Sequence, residues 1–465
     1  MRNLFVPLFL ILSMACQAAP EPLPESVRDA LKRADIPLSS VGIVVQQVDA
    51  TVPLLTRNAD QAMNPASTMK LLTTFAALEI LGPAYQWKTE AYLDGKLENG
   101  ILEGDLVFKG YGEPKLTIEQ FWLWLRELRQ RGLREIRGDI VLDRSFFENI
   151  KHDPAEFDND PTRAYNVGPN ALLLNFNALH LRLVPGAAQA NVLLEPDLSG
   201  YAIKNRVTTV SKQPCSGGDT YTARLEELNI VLEGTISGDC GEVDDYFSLL
   251  PHDEYFFAVF SSLWRELGGV LQGKLRGGSV PANQAVFSTR LSQPLAEVIR
   301  DINKFSNNTM ARQVFLTLGA ADGSSASAAR SSITVRQWLG AQQLQFPELV
   351  LENGAGLSRI ERISAQHLVE ILRRAARSHF SSELEASLPI LGMDGTMKKR
   401  FKDKEIAGHA HIKTGMLEGV KSIAGYVHAG DGKRWVVVFV INHPNAGRGQ
   451  AAQDALIEWV QKRRS

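Results

Sequence analysis

The chain has few cysteines, three in 465 residues, and little charge of either sign in excess: 50 Lys and Arg stand against 52 Asp and Glu. A formal charge of −2 gives no electrostatic reason to expect a nucleic-acid partner. No block of like charge is long enough for a disordered tail, and Lys462-Arg463-Arg464 reads as the solvated end of a helix. Beyond the first residues no apolar run reaches the ~20 residues that a membrane-spanning helix needs. A Gly-x-Ser-x-Gly elbow, a His-Glu-x-x-His pair and a Gly-rich phosphate loop are also missing. His409 and His411 share one strand face, but no third ligand is spaced for them, so neither metal nor cofactor is expected. There is no internal repeat and no low-complexity segment.

Residues Met1 to Ala18 read as a cleavable secretory signal. Arg2 supplies the positive start, Leu4 to Leu12 a short apolar run, and Cys16-Gln17-Ala18 small residues at −3 and −1 of a cut after Ala18. Ser13 stands where a lipoprotein signal wants Leu, which disfavours lipidation at Cys16. The mature protein is thus expected to be soluble and exported, to the periplasm. Two cysteines remain, Cys215 and Cys240, and an isolated pair in an oxidising compartment is expected to bond; the alternative is two buried thiols.

What is present is a set of three motifs in order: Ser67-Thr68-Met69-Lys70, Ser306-Asn307-Asn308 and Lys413-Thr414-Gly415. Each alone is weak, and together they form the parts of a serine acyltransferase whose base is lysine. Asn64-Pro65-Ala66 breaks the chain before Ser67. From Thr68 to Leu81 runs a helix apolar nearly all round, hence buried. Lys70 follows Ser67 by three residues and so shares its face. A serine hydroxyl needs a base, and Lys70 serves only when neutral. Burial and a nearby cation such as Lys413 would lower its pKa. Ser306 is placed to relay a proton, and Asn308 to hold Lys70 and the substrate amide. Lys413, Thr414 and Gly415 are expected to take an extended peptide and its carboxylate. The backbone N–H groups of Ser67 and Met416 would make an oxyanion hole. Plainer readings exist: Ser67 as an N-cap, Ser306 and Asn308 as caps of the next helix, Lys413-Thr414-Gly415 as an ordinary strand and turn.

Elsewhere, helices are expected at Glu25–Ala34, Gln120–Arg131, Leu295–Phe305, Asn307–Leu318, Val335–Leu344, Ala365–Ser378 and Gly449–Arg464. Strands are expected at Ser40–Asp49, Pro53–Arg57, Ala410–Lys413, Ser422–Ala429 and Trp435–Asn442. Short hairpins fill the region from about Thr89, and a second β-rich stretch spans about 177–270. This gives a catalytic domain split into residues 19–88 and 282–465, with 89–281 inserted.

The chain resembles the class C low-molecular-mass penicillin-binding proteins, the D-alanyl-D-alanine carboxypeptidase/endopeptidases of the bacterial envelope. Five stretches carry the likeness: Met63-Asn64-Pro65-Ala66-Ser67-Thr68-Met69-Lys70, Tyr165-Asn166-Val167-Gly168-Pro169, Asn353-Gly354-Ala355-Gly356-Leu357-Ser358-Arg359, Met393-Asp394-Gly395-Thr396 and Ala410-His411-Ile412-Lys413-Thr414-Gly415. The resemblance implies an α+β fold: a penicillin-recognising, transpeptidase-like domain with a five-stranded antiparallel sheet between helices, split by two mostly β domains. It implies peptidoglycan stem peptides as substrates and β-lactams as covalent inhibitors. It also puts Asp160 where the family carries an acid over the cleft, and Arg359 where it carries a carboxylate-binding base. Two positions depart from the pattern: Gly112-Glu113-Pro114 replaces Gly-Asp-Pro, and Glu418 stands where a neutral residue is expected. A β-lactamase and a non-catalytic peptidoglycan-binding scaffold stay open as other readings, as do a homodimer and a weak membrane or wall association.

Overall fold

A computed structural model describes residues 21–148, 151–211, 215, 220–321 and 323–463. The expected leader, Met1 to Ala18, lies outside them. Among the described residues no helix is long and apolar enough to cross a membrane.

The centre is a five-stranded antiparallel sheet built from both ends of the chain. Its order is Ala410–Leu417, Val420–His428, Arg434–Asn442, Val41–Gln47, Leu55–Arg57. Its inner strands are apolar almost without a break because both faces are covered. Val44, Ala424, Tyr426, Val436, Val438 and Val440 face one core, packed against the helices Lys70–Leu81, Leu295–Phe305, Asn308–Leu318 and Ala365–Ala375. The alternate residues Ile43, Val45, Ile423, Val437, Phe439 and Ile441 face another core, under Glu25–Arg33 and Gln450–Gln461. The sheet between helices is the α+β arrangement expected.

The chain between these parts forms a seven-stranded sheet, two three-stranded sheets and the helices Ile118–Gln130 and His252–Glu266. One apolar core runs through all three sheets, with Phe108 edge-on to Phe121, Trp124, Phe256 and Phe260. Emptying such a site by Phe→Ala costs about 3–5 kcal/mol in other cores. Val286–Leu291 pairs with Lys88–Glu98, so the seven-stranded sheet extends past residue 282. Cys215 and Cys240 form a disulfide with Cα atoms 5.2 Å apart.

Some elements differ from expectation, among them the helix His252–Glu266, which lies inside the stretch expected to be β-rich. The helix placed at Val335–Leu344 spans Ala328–Ala341, opened by Ser327 accepting from the Arg330 N–H. Its first turn is small and polar, which hid it from a reading of apolar periodicity. The helix after Ser67 begins as a 3-10 turn, Ala66–Met69, and turns α only at Lys70. The Pro65 carbonyl closes this turn by accepting from both the N–H and the hydroxyl of Thr68.

Candidate active site

The turn at Ala66–Met69 frees the Ser67 side chain. Neither the turn nor the helix that follows has a side-chain cap, so Ser67 is not an N-cap. Its Oγ lies 2.9 Å from Lys70 Nζ. The Lys70 side chain is wholly buried, and Nζ also donates to Asn308 Oδ1, at 2.7 Å, and to the Ala355 carbonyl. Those two oxygens can only accept. A neutral amine has two N–H groups for them, and its lone pair then points at the Ser67 hydroxyl.

The surroundings favour that neutral form. Burial pushes the Lys70 pKa well below 10.5, and the Lys413 charge lowers it further. Glu361 opposes and Arg312 assists. Glu361 is itself fully buried, and its Oε1 accepts three N–H groups, from Glu352, Asn353 and Gly354, at 3.1, 3.0 and 2.9 Å. That grip shapes the loop whose Ala355 carbonyl meets Lys70, and Thr73 Oγ1 holds the adjacent Gly354 carbonyl at 2.6 Å. Gly356, at φ +77°, passes so close to Ala66 that a Cβ would meet its carbonyl oxygen at 1.9 Å. Glu361, Arg312 and the Ala355 carbonyl had no assigned role in the sequence reading. The signal was there in the matched stretch Asn353 to Arg359, but a backbone carbonyl leaves no mark of its own in a sequence.

Ser306 and Asn308 do not cap the next helix. Asn307 does, accepting from the Met310 N–H at 2.9 Å. Ser306 is held at φ +58°, a left-handed conformation costly for a residue with a Cβ. It turns its hydroxyl to Lys413 Nζ, 2.8 Å away. Lys413 is fully buried, and burial lowers its pKa to about 7. It also donates to the Thr414 carbonyl at 2.7 Å.

The Lys413 strand forms an edge of the sheet. Ile412 N–H and the Ala410 carbonyl point outward, to Pro389 and Leu391. With the two-residue period of a strand, Thr414 and Met416 turn their backbone groups the same way, toward the cleft. Gly415 runs against the nucleophile turn: a Cβ there would sit 2.8 Å from Ser67 N and 2.3 Å from Ser422 Oγ. No larger residue fits without moving the strand off Ser67. Thr414 Oγ1 meets Thr396 Oγ1 at 2.8 Å, within the matched stretch Met393 to Thr396.

The insertion reaches this cleft. Asn308 Nδ2 donates to the Tyr165 carbonyl at 3.3 Å, while the Tyr165 hydroxyl donates to Asp158 at 2.8 Å. Asp160 has partners in its own turn: Oδ2 takes Arg163 Nε at 2.7 Å and Oδ1 takes Thr162 Oγ1 at 2.8 Å. Arg359 lies 4.4 Å above the Phe157 ring and 3.7 Å from Glu418 Oε2. Glu418, the unexpected acid, is therefore a partner of Arg359. Asp160 and Arg359 thus have separate partners, whereas hydrogen bonds join the others into two groups, Ser67–Lys70–Asn308 and Ser306–Lys413. Glu113, the other departure from pattern, is more than a turn residue. It is buried, takes the Thr89 hydroxyl at 3.1 Å, and burial pushes its carboxyl up to about 7.

Comparison with known proteins gives the family and the fold. The D-alanyl-D-alanine carboxypeptidase DacB of Haemophilus influenzae is 25% identical over 426 residues, covering 88% of this chain and 86% of the relative. A D-alanyl-D-alanine carboxypeptidase of an Actinomadura species is 26% identical over 445 residues, covering 89% of this chain and 80% of that one. The crystal structure of penicillin binding protein 4 from Haemophilus influenzae superposes with a TM-score of 0.77 at 24% identity, covering 94% of this chain and 99% of its own, and so shares the fold. Residues 23–463 match one family from end to end, and the chain belongs to the D-Ala-D-Ala carboxypeptidase 3 (S13) family.

Proposed function

We propose that this chain is an exported, periplasmic serine D-Ala-D-Ala carboxypeptidase that also acts as a D-alanyl-meso-diaminopimelate endopeptidase on peptidoglycan stem peptides. The observation that carries the reading is the Lys70 amine, desolvated and fixed by two carbonyl oxygens with Ser67 Oγ at 2.9 Å. Membership of the S13 family supports the substrate class.

The reaction runs as follows. Ser67 Oγ attacks the carbonyl carbon of the penultimate D-alanine as Lys70 Nζ takes its proton. The oxyanion lies between the N–H groups of Ser67 and Met416. The C–N bond breaks as the proton held by Lys70 is relayed through Ser306, oriented by Lys413, to the departing amine, which leaves Lys70 neutral again. Water then attacks the ester, with Lys70 as base, and restores Ser67. Lys413 and Thr414 hold the terminal carboxylate. A β-lactam would acylate the same hydroxyl, its amide taking the place of the peptide bond.

Asp160 and Arg359 supply the acid and the base for the ammonium and carboxylate of a diaminopimelate side chain. The Asp160–Arg163 pair is partly exposed and contributes only about 0–1 kcal/mol, so an incoming ammonium can displace Arg163. The test is release of D-alanine from a pentapeptide and cleavage of a cross-linked muropeptide by the purified chain. Absence of both products, in a protein that still folds, would refute the reading.

A further inference from the structure

On the same face of the sheet as Lys413, two residues before it along the strand, three side chains distant in sequence converge. Glu385 comes from the helix Ser381–Ser387, His411 from the strand that carries Lys413, and His428 from the end of the neighbouring strand. One ligand atom from each lies within 4.8 Å of the other two, and all three residues are half-buried. We propose that this cluster is a binding site for a divalent transition metal of the zinc class.

The donor set is two imidazoles and one carboxylate, a common set for three-ligand zinc sites, which leave a fourth position to water. Zinc bonds of ~2.0–2.2 Å in a tetrahedron place ligand atoms about 3.4 Å apart. His428 Nε2 and Glu385 Oε1 are already 2.9 Å apart, and His411 lies within 4.8 Å of both, so it is the His411 ring that moves in to close the site. His411 Nδ1 lies 3.2 Å from the Glu385 backbone carbonyl, a contact of the kind that orients ligating histidines. The metal would replace the hydrogen bond between His428 and Glu385.

Two cations oppose the site: the Lys304 charge acts on His411, and Arg434 pairs with Glu385. Arg434 Nη1 sits 2.7 Å from Glu385 Oε2. Arg434 has two other anchors, the Ala376 carbonyl at 3.2 Å and the Tyr426 ring at 5.3 Å, and Glu385 has a second oxygen to offer. The guanidinium can therefore stay as an outer partner of the carboxylate while Oε1 binds metal. Sequence spacing hid the cluster. It pairs His411 with His409 on one strand, whereas the fold leaves His409 exposed before the strand begins and brings Glu385 and His428 from other elements. The bound metal would tie the helix Ser381–Ser387 to the two strands. That helix runs into Ser387 and Leu388, which hold Asn303 and Lys304 just before Ser306.

The experiment uses the mature full chain, stripped with chelator and titrated with Zn2+ against a chromogenic competitor at neutral pH. One Zn2+ per chain is expected, with a rise in Tm. Affinity should fall at least about tenfold in His428→Asn and His411→Ala and stay unchanged in His409→Ala. Co2+ added to the unmutated chain should give the visible absorption of a tetrahedral site, a readout that needs no variant. No stoichiometric Zn2+ uptake would overturn the proposal. So would uptake of equal affinity in a folded His411→Ala/His428→Asn double variant.

Discussion

Around the five-stranded sheet, Lys70, Lys413, Glu361 and Arg312 are all buried, and each is held by backbone or amide partners. In the three-stranded sheets of the insertion, Arg224 instead pairs with Glu226 and Glu233 at the surface, each at 2.8 Å with side chains 42–49% exposed. The exposed pairs are screened and worth little. The buried groups cost stability, because each must be desolvated, and what they return is reactivity: an amine whose neutral form is favoured by burial. The same polypeptide thus spends its charge on solubility in one region and on chemistry in the other.

The sharpest way to break that contrast is at Lys70. Lys70→Ala should lower the second-order rate of β-lactam acylation by about 10²–10⁴. Arg224→Ala should leave it unchanged, as read with a fluorescent penicillin. In the unmutated chain the rate should rise with pH through the lowered Lys70 pKa and level off well below 10.5, because only the neutral amine is a base. The Lys70→Ala variant should lack this limb.

The insertion is expected to lean on its covalent link. The Cys215–Cys240 loop has a sequence separation of 25, for which the chain-entropy model gives roughly 3.5 kcal/mol. Replacing both by Ser should lower Tm and spare penicillin labelling. Loss of labelling in a folded variant would mean that the two regions are less separate than their charges imply.

Glu113 tests the border between them. Its folded pKa, about 7, lies above the ordinary 4.5, so its neutral form is favoured by folding. That contribution is complete below pH 4.5 and is lost as pH rises through 7. The full difference is on the order of 3 kcal/mol. Glu113→Gln should therefore flatten the fall in Tm between pH 5 and pH 8. Equal pH profiles in the two proteins would remove Glu113 from the account.

The smallest effect belongs to Asp160. Asp160→Ala should slow cleavage of diaminopimelate-containing peptides by about tenfold, the worth of one charge-assisted contact. It should barely change acylation by a simple penicillin. Equal effects on both substrates would show that the residue serves only its own turn.

Most of the side chains that meet in the candidate site could be named in advance because they sit in short motifs on regular elements. Ser67 and Lys70 are linked by helical spacing, and Lys413 to Met416 by strand alternation. What escaped was long-range or carried by backbone. The Ala355 carbonyl on Lys70, the three N–H groups on Glu361 and the Glu385–His411–His428 cluster depend on loops and strands meeting in space. The sheet core was legible because both its faces are apolar. The helix at Ala328–Ala341 was placed late because its first turn buries little. Asp160 was read by resemblance alone, and the fold gives it local partners that resemblance could not reveal.

The central claim is that Ser67, activated by Lys70, is the nucleophile. Intact-mass spectrometry of the chain and of Ser67→Ala after exposure to benzylpenicillin tests it most directly. The account predicts one penicilloyl adduct that persists on the unmutated chain and none on Ser67→Ala. An undiminished adduct on Ser67→Ala, or rapid penicillin turnover with no adduct on the unmutated chain, would contradict it.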